Sequence, residues 1–142
     1  MAAARDWDDF ARTMEAALDM RTGGRFRDLF APGAQFADPA NAPTEDLRDI
    51  QRQTRAVMPD WHQEITSIRG GDDWAVFEWI GYATYAAPGG DGRGNGAPIT
   101  MHGATIIEVN DDGLITSWRD YLDRKEPEQQ IKAAARSAHG SH

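Results

Sequence analysis

The sequence predicts one α+β domain, a cone-shaped roll in which a strongly curved, mostly antiparallel sheet packs against N-terminal helices and encloses a pocket. Three observations carry this. The chain has 142 residues, the usual size of a domain with one core. As far as Met58 its apolar residues recur at three- and four-residue steps, broken by Gly and Pro. From Trp61 to Leu122 it is instead rich in β-branched and aromatic residues separated by turn chemistry. Helices gathered before a run of strands lie on one face of a sheet, and a curved sheet closed by helices leaves a cavity suited to a small ligand. No repeat or linker interrupts the pattern. Residues 1–142 read as a single domain, with the core over about 5–125 and a C-terminal helix and frayed tail over 126–142.

Asp6 to Met20 is predicted to be an amphipathic helix, with Trp7, Phe10, Ala11, Met14, Ala17 and Leu18 on one face and Gly23-Gly24 ending it. Arg25 to Phe30 reads as a second, short helix closed by Pro32-Gly33, and Ala34 to Asp38 as a short strand stopped by Pro39. Thr44 is placed to cap a third helix running to about Met58, with Glu45 and Asp46 suited to the positive end of its dipole. Leu47, Ile50, Thr54 and Val57 give that helix one apolar stripe.

Four strands follow: Trp61 to Ile68, Trp74 to Ala86, Ile99 to Val109 and Leu114 to Leu122. Gly70-Gly71-Asp72-Asp73 and Asn110-Asp111-Asp112-Gly113 are turns. The glycine-rich stretch from Pro88 to Pro98 reads as a hairpin tip or pocket lid. A phosphate cradle would pass from a strand into a helix, whereas here strands flank both sides. Glu126 to Ala138 forms a terminal helix with Pro127 near its start, and Ser137 to His142 frays.

Composition excludes several classes. There is no run of 18 apolar residues to span a membrane, and Met1 to Trp7 lacks the basic and apolar blocks of a signal peptide. The absence of cysteine excludes disulfides and thiolate metal sites, and a cytoplasmic location is expected. A formal charge of −8 without any basic patch argues against nucleic acid and for solubility. No histidine pair has metal-ligand spacing, so no metal site is expected.

The last strand carries the most pointed signal. Side chains alternate between faces along Ile115-Thr116-Ser117-Trp118-Arg119-Asp120-Tyr121-Leu122, so Trp118, Asp120 and Leu122 share one face. If Trp118 and Leu122 face the interior, Asp120 goes in with them. A poorly solvated carboxylate has a raised pKa and carries protons near neutral pH. Alternation alone leaves open a surface Asp paired with Arg119 or Arg124. On neighbouring strands Trp79, Phe77 and Met101, with Met58 from the third helix, are placed to floor an apolar pocket or to fill a core. Gly81, Ala83 and Gly103 would leave room above them. Period-two alternation puts Met101, Gly103 and Thr105 on the pocket face and His102 on the other, where a bulge would be needed to bring it in. His62 stands at a strand start, and His139 and His142 lie in the tail.

The segment Gly113 to Asp123 resembles the closing strand of limonene epoxide hydrolase and of the SnoaL-like polyketide cyclases, which belong with ketosteroid isomerase and nuclear transport factor 2 to one fold superfamily. The resemblance extends over the first helix, Phe36-Ala37-Asp38-Pro39, the Pro59-Asp60-Trp61-His62 lead-in to the sheet and the last three strands. It implies that Asp120 is the catalytic carboxylate. It also implies that Asp38 matches the general base of ketosteroid isomerase, with Thr13 and Thr105 at the places of that enzyme's two enolate donors. Taken from the residues alone, Asp38 caps the turn before Pro39 and Asn41. Trp79 and Gly81 stand where the epoxide hydrolase has an Arg and a second Asp, and Phe36 and Asp38 where it has a Tyr and an Asn.

The expected function is therefore a cofactor-independent enzyme, of polyketide cyclase or isomerase type, using Asp120 and Asp38 as acid and base on a hydrophobic carbonyl-bearing metabolite. Trp79, Trp118, Phe36, Met101, Met58 and Leu122 would line its pocket, with Thr13 and Thr105 as donors and His102 and His62 as accessories. A non-catalytic binding or assembly domain and an epoxide hydrolase are the alternatives. A homodimer is expected, because Tyr82, Tyr121 and Ile106 put apolar area on the outer face of the sheet.

Overall fold

The computed structural model describes residues 5–86 and 96–140, the last four as backbone only. Most of the glycine-rich loop and the final two residues, His142 included, lie outside the described residues, as does the side chain of His139. Three helices, α1 (Trp7–Leu18), α2 (Leu47–Val57) and α3 (Lys125–Gly140), accompany two short 3-10 turns, Met20–Thr22 and Phe26–Leu29. Six strands, β1 (Phe30–Asp38), β2 (Asn41–Thr44), β3 (His62–Gly70), β4 (Trp74–Thr84), β5 (Pro98–Val109) and β6 (Ile115–Leu122), form one curled sheet in the order β2-β1-β6-β5-β4-β3. Every pairing is antiparallel except β1 with β6. No described helix is long and apolar enough to cross a membrane.

The helices lie on one face, and strand alternation sorts the side chains. Along β4, Ala75, Phe77, Trp79 and Ala83 are buried on the inner face, while Trp74, Val76 and Glu78 are exposed on the outer one. Met14 of α1 packs in the same core as Phe77, Ile107 and Ile115, all fully buried. A bulge in β3 between Ile65 and Ser67 interrupts the ladder. The Ile65 N–H donates instead to Glu15 Oε2 of α1 at 2.8 Å, fastening helix to sheet.

Four details differ from the sequence reading. The second helix is a 3-10 turn, and Pro32-Gly33 does not end it but sits inside β1, where the register with β6 shifts between Phe30 and Gln35 and Gly33 takes a φ of +76°. The short strand β2 was not foreseen, because Asn41-Ala42-Pro43-Thr44 has no strand pattern of its own and forms only as the return of β1. Helix α2 starts later than expected. Asp46, not Thr44, is its N-cap, with Oδ1 accepting the Asp49 N–H at 3.0 Å, while Thr44 Oγ1 accepts the Asp46 N–H. Helix α3 seals β5 beyond the end of β6. Gln130 accepts the Thr100 N–H at 2.7 Å and donates to its carbonyl at 2.9 Å, and Glu126 accepts the His102 N–H at 2.7 Å.

Candidate active site

Between the inner face of the sheet and the helices lies a cavity of about 330 Å³. That is within the range of small-molecule sites. Phe36, Trp79, Met101 and Trp118 from the sheet and Met58 from α2 form apolar walls. Pro127 and Ile131 of α3 close one side. Four aromatic rings surround Trp118: Phe36 is stacked on it at 6.2 Å, Phe26 and Phe77 meet it edge-on at 5.8 and 5.5 Å, and Phe30 is tilted against it at 5.8 Å. Phe77 itself is fully buried beneath the cavity and does not line it.

Asp120 faces this cavity together with Trp118 and Leu122 of the same strand. Its Oδ1 accepts two hydrogen bonds, one from Thr105 Oγ1 at 2.5 Å and one from Trp118 Nε1 at 2.8 Å. The Trp79 Nε1–H donates to Thr105 Oγ1 at 2.8 Å. An indole N–H is a donor only, so Thr105 must accept from Trp79 and turn its own proton toward Asp120. Oδ2 has no hydrogen-bond partner among the described residues and is not sealed from solvent, so it is the oxygen left open. Neither Arg119 nor Arg124 pairs with Asp120; Arg119 is exposed on the other face and Arg124 lies at the rim of the cavity.

Desolvation pushes the Asp120 carboxyl up to about 7. The bonds from Thr105 and Trp118 pull it down and the nearby Asp38 charge adds to the rise. Near neutral pH both protonation states are therefore populated, which suits a group that takes up and returns a proton. Because Oδ1 is occupied by two donors, the exchangeable proton belongs on Oδ2.

Asp38 ends β1 beside Asp120. The parallel register pairs Phe36 with Trp118 and Ala37 with Arg119, and the next step brings the two carboxylates onto one face. Asp38 lines the cavity, and it also caps the turn that follows. Its Oδ1 accepts from the Ala40 N–H at 2.8 Å, the Asn41 N–H at 2.7 Å and Asn41 Nδ2 at 2.9 Å.

Other expected site residues fall elsewhere. Thr13 is exposed on α1 and donates to the Asp9 carbonyl, so it cannot act as an enolate donor. Thr105 is fully buried behind Asp120 rather than exposed to a ligand. His102 is on the outer face, as alternation required, and bonds Glu126 at 2.9 Å. His62 is stacked on Tyr82 with its ring nitrogen against the Asp60 carbonyl, away from the cavity. The space expected above Gly81 and Gly103 is taken by protein. A Cβ on Gly81 would stand 2.0 Å from the Trp61 ring, and one on Gly103 2.3 Å from the Trp79 ring. These glycines seat indoles rather than ligand. Sequence reasoning missed Trp61 and Gln63 as cavity residues, although alternation along β3 puts both on the face of Ile65.

A curled sheet, inward helices and the carboxyls of Asp120 and Asp38 in one aromatic cavity accord with a SnoaL-like domain. That family matches residues 3–118, most of the chain, and the chain belongs to it. No curated protein matches the sequence at a significant level. Among solved structures, IdmH from Streptomyces antibioticus, proposed to be a polyketide cyclase, is similar with a TM-score of 0.72 at 20% identity, over 90% of this chain and 99% of that one. An LEH-like epoxide hydrolase from M. tuberculosis is similar with a TM-score of 0.65 at 14% identity, over 92% of each chain. A protein with a ketosteroid isomerase-like fold from Catenulispora acidiphila, in complex with trimethylamine, scores 0.65 at 20% identity, over 82% of this chain and 90% of that one. At these identities the likeness is one of fold.

Proposed function

We propose that this domain is a cofactor-independent acid–base enzyme of cyclase or isomerase type, acting on a hydrophobic metabolite that carries a carbonyl group. The observation that carries the reading is a carboxyl raised to about 7 with one unpartnered oxygen turned into an aromatic cavity. Asp120 Oδ2 takes a proton from the carbon beside the carbonyl, and the C–H electron pair moves to the carbonyl oxygen as an enolate. The enolate carbon then attacks a second carbonyl, whose oxygen takes the proton from Asp120 as it becomes a hydroxyl, or a different carbon of the conjugated system takes the proton back from Asp120. Both outcomes leave the carboxyl as it began. The protein acts as a homodimer in the cytoplasm.

The test is proton exchange at the carbons beside the ketone of 2-tetralone, a bicyclic probe of suitable size, followed by NMR in D2O. The wild type should accelerate exchange, and Asp120→Asn, nearly isosteric but unable to take a proton, should lower the rate at least about 100-fold. Equal rates for the two proteins would refute the reading and favour a binding domain. Asp38 beside Asp120, with Arg124 at the rim, supports a second reading in which Asp120 activates water to open an epoxide. Diol formation from limonene oxide, lost in Asp120→Asn, would favour that reading.

A further inference from the structure

Among the described residues, one buried polar side chain of the cavity has no protein partner. Gln63 of β3 is 8% exposed, and the surface it keeps is the cavity wall. Its carboxamide makes no hydrogen bond with any described residue, and neither of its polar atoms is sealed from the cavity. Trp61 and Ile65 stand two residues to either side on the same strand face, so the amide sits among apolar groups. An amide without a protein partner that opens into a cavity is paired by solvent while the cavity is empty, and a leucine of similar volume would need no such pairing. Such a group points to a ligand that completes its hydrogen bonds.

We propose that Gln63 is the second polar anchor of the cavity and recognises a neutral hydroxyl or carbonyl group at the end of the ligand remote from Asp120. The amide offers one acceptor, Oε1, and a donor, Nε2–H, and suits either group. β3 lies three strands from β6 in the sheet order. Three strand spacings make an arc of about 14 Å. Gln63 pairs with Gly81, four residues or about 13 Å along β4 from Phe77, whose row leads through Thr105 to Asp120. The curl of the sheet and the inward reach of both side chains shorten that diagonal. Two or three fused six-membered rings with a hydrogen bond at each end cover that reach. The ligand class is a fused-ring ketone with a hydroxyl or carbonyl on its far ring. Its ketone end rests on the function proposed for Asp120, whereas its far end rests on Gln63 alone.

The experiment compares 2-tetralone with 6-hydroxy-2-tetralone, which adds a hydroxyl at the far end of the same ketone. Affinity is read by quenching of tryptophan fluorescence. The wild type should bind the hydroxylated ketone about tenfold more tightly. Gln63→Leu, and Gln63→Met as a second variant of similar length, should bind the two ketones alike. Asp120→Asn should keep the wild-type preference. Absence of a hydroxyl preference in the wild type, or a preference that survives in either folded Gln63 variant, overturns the proposal. Equal proton exchange in the wild type and in Asp120→Asn, with the preference intact, would overturn the role of Asp120 and leave that of Gln63 standing.

Discussion

Trp79 sets the direction of the hydrogen bonds that reach Asp120. Its N–H occupies the Thr105 hydroxyl oxygen, and Thr105 can then only donate onward. Thr105→Val keeps the shape and removes that donor. The Asp120 carboxyl should rise further, and the pH profile of 2-tetralone exchange should move to higher pH. The orphaned Trp79 N–H should also cost about 1–3 kcal/mol of stability, read by chemical denaturation. An unchanged pH profile would make Thr105 a packing residue only. Gly103→Ala reaches the same chain from the other side, since the added methyl displaces the Trp79 ring. It should destabilise by about 1–3 kcal/mol and weaken exchange together. At this scale alternation made the face of Asp120 legible, because Trp118 and Leu122 carry it inward. Depth was not legible: period two places Thr105 on the inner face but does not say that it lies behind Asp120. Thr13 was misplaced because resemblance to a family position says nothing about which way a helix residue turns.

The strands β3 to β6 were legible from their β-branched and aromatic runs, with ends shifted by no more than two residues, whereas β1 begins at Phe30, four residues before the expected Ala34. The elements that escaped are those made by tertiary pairing. β2 exists because β1 needs a partner, and the parallel contact of β1 with β6 is a long-range choice with no local signal. The docking of α3 is another. Glu126 and Gln130, four residues apart on one helix face, bond the backbone of His102 and Thr100, two residues apart on β5. Gln130→Ala removes two of these bonds from the uncovered edge of β5. It should destabilise by about 1–2 kcal/mol and increase hydrogen exchange at the Thr100 amide first. It should also weaken 2-tetralone binding, because Pro127 and Ile131 of α3 wall the cavity. A variant with wild-type affinity would show that α3 is fixed by other contacts.

For the whole molecule, the outer face of the sheet leaves Trp74, Val76 and Tyr121 exposed at 47%, 37% and 54%. In the proposed homodimer this apolar sheet face is the one a second copy would cover. Sedimentation at micromolar protein should give twice the 15.7 kDa chain mass, and Tyr121→Glu should shift it toward the single chain. A wild type that sediments at 15.7 kDa would contradict the dimer. Stability should depend on pH through carboxyls of opposite sense, Asp120 raised and Asp60 lowered, with Asp19 lowered beside Arg21 and Asp49 beside Gln53 and Arg52 as well. Asp120 is raised, so its protonation favours the folded state. That contribution is complete below the ordinary carboxyl value near 3.9 and is lost as pH rises through about 7. Asp60 is lowered: burial pushes it up, but the Thr84 N–H and hydroxyl, at 2.7 and 2.8 Å, outweigh that. Its contribution is present above the ordinary value and is lost on acidification. Maximum stability should therefore lie between about pH 4 and 6. Asp120→Asn should be more stable than the wild type at pH 8 by about 1–3 kcal/mol, and the difference should vanish near pH 4. A variant less stable at pH 8 would mean that the charge of Asp120 is held by the fold.

The most direct measurement is the titration of Asp120 itself. Protein labelled with 13C at the aspartate side-chain carboxyls would be followed by NMR from pH 3 to 9, in the wild type and in Asp120→Asn. We expect one carboxyl resonance to titrate near pH 7 in the wild type and to be missing from the variant. If every aspartate of the wild type is ionised by about pH 5, Asp120 is a carboxylate throughout and the proton-carrying role assigned to it is wrong.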